Sequence, residues 1–166
     1  MIQKLAILAL LLLSGCTNSY LGISVSPGDG GTVAPFESFE VQAEGLPAFL
    51  GPILVSNFSV AMAERGLQPV LSGGDAIARL RYVQEELNVE QDHDAFDERI
   101  DQGSDIRFVA KIVVEVTAAG SDEIFWSGSI QRLHNVRPGD YMHTGRASVA
   151  LLEAFRNLLS DYPDKR

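Results

Sequence analysis

Residues 106–116, IRFVAKIVVEV, alternate with a period of two. Phe108, Ala110, Ile112, Val114 and Val116 fall on one side, and Arg107, Lys111 and Glu115 on the other. Successive side chains on a strand point to opposite faces, so the pattern predicts a strand with one face on a core and one toward water. Such a strand needs neighbours in a sheet and a layer to cover its apolar face. Ala118-Ala119-Gly120-Ser121-Asp122 reads as a turn, and residues 123–133, EIFWSGSIQRL, as the antiparallel partner. That strand places Ile124, Trp126, Gly128 and Ile130 on one side, and a glycine in mid-strand predicts something packed closely over it.

The covering layer is legible in two places. After Gly51, the stretch PILVSNFSVAMAERG opens with Pro52, which suits a first helical turn where its missing N–H is no loss. Leu54, Phe58, Ala61 and Met62 lie on one helical stripe with Ile53 beside it, and Gly66 is a natural stop. A second helix is predicted from about residue 144 to 161, where Ala147, Ala150, Leu151, Ala154, Leu158 and Tyr162 recur every three or four residues, widened by Phe155 and Leu159. Pro163 ends it. Residues 38–43, SFEVQA, alternate as a short strand, residues 68–71 can begin another, and Ala78, Leu80 and Tyr82 alternate against Arg79, Arg81 and Gln84. The expected order is β-α-β-β-β-β-α. The fold class is α+β: a two-layer sandwich in which an antiparallel-rich sheet of four to five strands carries two helices on one face.

The N-terminus fixes a different property. A short basic start, Met1 to Lys4, leads into nine apolar residues, Leu5 to Leu13. Nine residues cannot cross a bilayer, which takes about 20, but suit the core of a secretory signal. The run ends in Leu13-Ser14-Gly15-Cys16, and Cys16 is the only cysteine. These four residues resemble the bacterial lipobox. The resemblance implies a diacylglyceryl thioether on Cys16, cleavage between Gly15 and Cys16, and further acylation, as by palmitate, of the new amine. The plainer alternative is a buried free thiol behind a signal. Several acyl chains hold a protein on a membrane where one chain does so weakly. Thr17 stands where lipoproteins kept at the inner membrane tend to carry Asp, so the resemblance implies the outer membrane, facing the periplasm.

Three segments follow: a signal peptide over 1–15, a lipidated N-terminus and flexible tether over 16–37, and one periplasmic domain over 38–166. Gly22, Gly28, Gly30, Gly31, Pro27 and Pro35 mark the tether, and such a chain of twenty residues has an r.m.s. reach of ~25 Å. The 166 residues, 46% hydrophobic and 21% charged, suit one globular domain. With a single cysteine, the mature chain forms no internal disulfide. The net charge of −9 argues against nucleic acid as a partner, since phosphate binding needs a basic footprint, and against attraction to anionic headgroups.

The domain itself is similar to a family of bacterial lipoproteins known as domain of unknown function 4136. The likeness lies in the short first strand, the helix end Ala63-Glu64-Arg65-Gly66-Leu67, the strand segment Trp126-Ser127-Gly128, and the closing helix Ala150-Leu151-Leu152-Glu153-Ala154-Phe155, which finishes in Asp161-Tyr162-Pro163. Members often carry Tyr-Ala-Trp in the first strand, where this chain has Phe39-Glu40-Val41. The family has no agreed activity, so no catalytic residue carries over.

Chemistry-bearing clusters are sparse. Asp92-His93-Asp94, with Asp97 and Glu98, sits in the acidic stretch 90–105 and has the oxygens a hard cation takes. An EF-hand starting at Asp92 would need glycine at 97 and glutamate at 103, where the chain has Asp97 and Gly103; a solvated loop is the simpler reading. His93, His134 and His143 lack zinc spacing. Ser127 and Ser129 sit in a predicted strand, not on a nucleophile elbow. The glycines Gly28, Gly30 and Gly31 have no strand before them and no helix after them, so they make no phosphate loop. Arg132, His134, Arg137 and His143 gather near the last loop and form a weak candidate anion site, against a background of ordinary loop charges. No cofactor, metal or catalytic residue is expected. Three functions remain in view: a non-catalytic module that binds an envelope protein or lipid component, an auxiliary lipoprotein of a lipid or lipopolysaccharide transport system, and a periplasmic hydrolase using Ser127, Ser129 or Ser148 with a histidine.

Overall fold

A computed structural model describes residues 23–26, 36–87, 106–136, 140 and 142–163. Its elements are β1 (Ile23–Ser26), β2 (Ser38–Glu44), α1 (Gly51–Glu64), β3 (Gln68–Val70), β4 (Ala76–Glu86), β5 (Ile106–Ala118), β6 (Ile124–Val136) and α2 (Thr144–Leu158), followed by a 3₁₀ turn (Leu159–Asp161). One sheet holds all six strands in the order β1-β6-β5-β4-β2-β3. β2 runs parallel to β3 and to β4, and the other pairs are antiparallel. The α+β sandwich and the run β2-α1-β3-β4-β5-β6-α2 match the sequence expectation, with β1 added ahead of it.

β1 lies inside the stretch read as tether. It pairs with β6 from Ile23 opposite Arg132 to Ser26 opposite Ser129. A four-residue strand bracketed by glycine and proline leaves almost no periodic signal; its partner, more than a hundred residues away, creates it. Cys16, the signal and residues 17–22 and 27–35 of the tether lie outside the described residues, as do Arg137 and the acidic stretch with Asp92, His93, Asp94, Asp97 and Glu98; Phe36, at the end of the stretch read as tether, is buried in the core.

The core sits between the sheet and the two helices. Rows of inward side chains cross β4, β5 and β6: Ala78, Val116 and Trp126, then Leu80, Val114 and Gly128, then Tyr82, Ile112 and Ile130. α1 buries Leu54, Asn57, Phe58, Ala61 and Met62, and α2 buries Ala150, Ala154, Phe155 and Leu158. Phe58 bridges the layers, edge-on to Phe39 at 6.2 Å and to Phe155 at 5.4 Å. A Cβ on Gly128 would meet Leu158 at 2.8 Å and the Trp126 ring at 3.0 Å, so the mid-strand glycine makes room for the end of α2. Gly66, at φ 87°, ends α1 as expected, and its N–H donates to the Ala63 carbonyl.

One core assignment changes. The pairing of β5 with β6 slips between Val116 and Thr117: Val116 faces Trp126, while Thr117 faces Ile124. Phe125 is the extra residue of this bulge and packs on Phe36 and Tyr162, at 5.1 and 6.3 Å. Ile124, expected on the core face, is therefore 51% exposed.

Polar locks close the far end of the sheet. The Asp75 carboxylate accepts the backbone N–H groups of Glu37 and Ser38 and the Ser38 hydroxyl, at 3.2, 3.1 and 2.9 Å. The Asp75 carbonyl accepts the Ala119 N–H at 2.8 Å, joining the start of β2 to the β5–β6 turn. Between the helices, Asn57 and Ser148 exchange hydrogen bonds at 3.1 and 3.2 Å. The Arg156 guanidinium binds both carboxylate oxygens of Glu64, at 2.8 and 2.7 Å, and holds that carboxyl below its usual range. Burial among Phe125, Trp126 and the sheet pushes the Tyr162 hydroxyl up to about 12.

Candidate functional site

The helices cover only part of the sheet. From Arg81 onward β4 is exposed on both faces apart from the half-buried Tyr82, and β6 is largely exposed from Gln131. The last residues of β4, the first of β5 and the last of β6 thus form a bare three-stranded arm. The arm belongs to one long ladder, with β4 and β5 paired from Ala76–Ala118 to Glu86–Phe108.

Each face of the arm has its own chemistry. On the face away from the helices a hollow of about 270 Å³ lies among Arg81, Val83, Glu85, Val109, Lys111 and Val113. Register explains this grouping: Arg81 pairs with Val113, Val83 with Lys111, and Glu85 with Val109. Two lysine or arginine side chains and one glutamate rim a valine floor, and Arg81 also pairs with Glu115 at 3.3 Å. The lining suits a ligand with both polar and apolar parts.

The other face of the arm carries Arg132 and His134, two of the candidate anion-site residues. His134 lies in β6, which runs on to Val136, so the loop expected from 134 begins later. Its ring stacks on Phe108, with centroids 4.8 Å apart and planes 9° from parallel. Desolvation, then the Arg132 charge, lowers the His134 pKa, which favours the neutral imidazole. His143 stands at the N-cap of α2 in an extended conformation without a side-chain cap bond. The structure therefore brings Arg132 and His134 together on one strand face and puts His143 at the head of the next helix.

Of the serines considered for hydrolysis, two lie on β6 and one on α2. Ser127 and Ser129 occupy odd positions of β6 past the bulge and so face away from His134, and the Ser148 hydroxyl is engaged by Asn57. Among the described residues no group of three or more His, Cys, Asp or Glu side chains could hold a metal ion, and no helix is long and apolar enough to cross a membrane.

Sequence reasoning missed Asn57 and the hollow. Asn57 lies on the apolar stripe of α1, and only a buried partner on α2 makes a polar residue fit there. The hollow comes from strand register, though Val109 and Val113 among the charged outward residues of β5 were a visible sign of a mixed face.

No protein-family model matches the sequence, and neither does any curated protein. Similar solved structures do exist. The PelC dodecamer from Paraburkholderia phytofirmans is 12% identical over 87% of this chain and 98% of that one, with a TM-score of 0.50. A DUF4136 family protein from Bacteroides thetaiotaomicron is 10% identical over 86% and 95%, with a TM-score of 0.44. Rare lipoprotein B from Shewanella oneidensis is 11% identical over 74% and 90%, with a TM-score of 0.37. At 12% identity the likeness to PelC is one of fold alone.

Proposed function

We propose that the chain is a periplasmic lipoprotein held at the outer membrane by acyl chains on Cys16, and that its folded module acts by binding an envelope protein or lipid component, without covalent chemistry of its own. The observation that carries this reading is Leu13-Ser14-Gly15-Cys16 behind nine apolar residues, with Cys16 the only cysteine of the chain. The bare arm supports the binding role. A sheet face on which Val83, Val109 and Val113 lie beside Arg81, Glu85 and Lys111 is a surface suited to a partner, whereas Ser127 and Ser129 face away from His134.

Replacing the cysteine tests the anchor. Cys16→Ser is expected to move the protein from the membrane fraction to the soluble fraction or to stall it as the uncut precursor. Unchanged fractionation would overturn the reading.

A second reading is self-association. The fold-similar PelC protein is a dodecamer, and the uncovered arm of this chain offers a surface for further copies. Sedimentation of the detergent-solubilised protein separates the two: a single species at monomer mass supports a foreign partner, and a concentration-dependent ring or dimer supports self-association. A transport-auxiliary role is less favoured, because a hollow of about 270 Å³ rimmed by Arg81, Glu85 and Lys111 is a poor slot for an acyl chain.

A further inference from the structure

On the face away from the helices, no described element lies over the arm. There the ladder between β4 and β5 lays out a small square. Val83 lies opposite Lys111, and Glu85 lies opposite Val109. The two valines therefore stand on one diagonal of the square and the two charges on the other. Arg81, next along the same face of β4, is already engaged by Glu115 at 3.3 Å. Beyond the square, β6 sets Gln131 beside Lys111 and Leu133 beside Val109.

Both charges of the square lack a partner of their own. Among the described residues neither Lys111 nor Glu85 makes an ion pair or a hydrogen bond. Lys111 is nonetheless half-buried, and a lysine is seldom drawn out of water unpaired. Val83 and Leu133 are 40% and 49% exposed and leave apolar surface bare beside it. Such a patch is complementary to itself. A two-fold axis laid along the valine diagonal exchanges the two charges. It sets Lys111 of each copy over Glu85 of the other, and each valine over its counterpart. The strands of the two sheets then cross steeply, which is one of the two ways sheets pack face to face, about 10 Å apart. A two-fold contact of this kind closes at the dimer.

We infer that two copies of this chain pair face to face through this square, Lys111 on Glu85 in both directions around Val83 and Val109. The inference rests on the self-association reading above and adds its surface and its symmetry. A small anion would satisfy Lys111 and be repelled by Glu85, whereas a second copy satisfies both. The net charge of −9 opposes association at long range, but salt at about 0.15 M screens charges more than about 8 Å apart and leaves close pairs in force. In the dimer the hollow is filled by the second copy's side chains, and the helices of both copies lie on the outside.

The test is a charge swap read by sedimentation equilibrium of the detergent-solubilised, membrane-extracted protein at about 0.15 M salt. The patch is small for an interface, so a monomer–dimer equilibrium in the micromolar range is expected. Lys111→Glu sets two carboxylates face to face at both ends of the contact, and Glu85→Lys sets two ammonium groups there. Each alone is expected to raise the dissociation constant about tenfold or more. The double variant restores opposite charges and is expected to return to within about threefold of the wild type. Val83→Cys gives a readout that no charge change can disturb: a short thiol-specific cross-linker is expected to yield a covalent dimer, with the wild-type chain, which keeps Cys16, as the control. A monomer at every concentration overturns both this inference and the self-association reading. A dimer that ignores both single reversals, a double variant as weak as the single ones, or a closed assembly larger than two leaves self-association standing and overturns this surface. A chain that stays monomeric while the reversals strip a co-purifying envelope protein from it assigns the face to that partner and overturns the inference.

Discussion

The covered half of the sheet and the bare arm are made from the same strands, yet they have opposite fates. In β5, Val114 and Val116 are wholly buried, while Phe108 and Ala110, on the same face and four to eight residues earlier, are only half-buried. Alternation specifies a strand and tells which side chains share a face, but it does not tell whether another layer lies above them. α1 and α2 are 14 and 15 residues long, about 21 to 23 Å at 1.5 Å per residue, which is about half the length of β5. The helices are simply too short to roof the whole sheet. What remains outside them is held by ladder hydrogen bonds and a few ring contacts, and it is there that the candidate surface lies.

That contrast predicts a ranking of substitutions. Trp126→Ala, in the roofed half, is expected to cost about 3–5 kcal/mol, read from urea unfolding. Gly128→Ala follows at about 1–3 kcal/mol, because its Cβ would press on Leu158 and Trp126. Phe108→Ala, on the arm, should cost about 1 kcal/mol or less, the worth of its stack on His134. A loss as large as that of Trp126→Ala would mean that the arm is roofed after all.

Smaller effects sharpen the same comparison. The Tyr162 hydroxyl is buried without a hydrogen-bond partner among the described residues, so Tyr162→Phe is expected to leave the melting temperature unchanged or raise it slightly. His134 gives the smallest effect and the most local one. Its folded pKa is depressed, so its contribution to stability is present above the ordinary histidine value and fades as pH falls through the folded one. Imidazole resonances followed by NMR should show His134 titrating below a free histidine, and Arg132→Gln should move the midpoint upward.

Much of this was legible in the sequence. The alternation of residues 106–116, the mid-strand Gly128 and the Gly66 stop each have a local cause, and each was found where expected. What escaped has a non-local cause. β1 exists because β6 offers it an edge, the parallel pairing of β2 with β4 depends on α1 carrying the chain across, and the Ile124 displacement depends on one extra residue in a ladder. The candidate anion residues show the same division. Arg132 and His134 share a strand face, as residues two apart must, while the relation of His143 to them is set by a loop.

The central claim is that acyl chains on one sulfur tie this module to a membrane. Intact-mass and peptide spectrometry of the membrane-extracted protein tests it most directly. The expected result is a chain that begins at Cys16 and carries diacylglyceryl and amide-linked acyl groups on that residue. A chain that retains residues 1–15, or a Cys16 with a free thiol and a free amine, would contradict it.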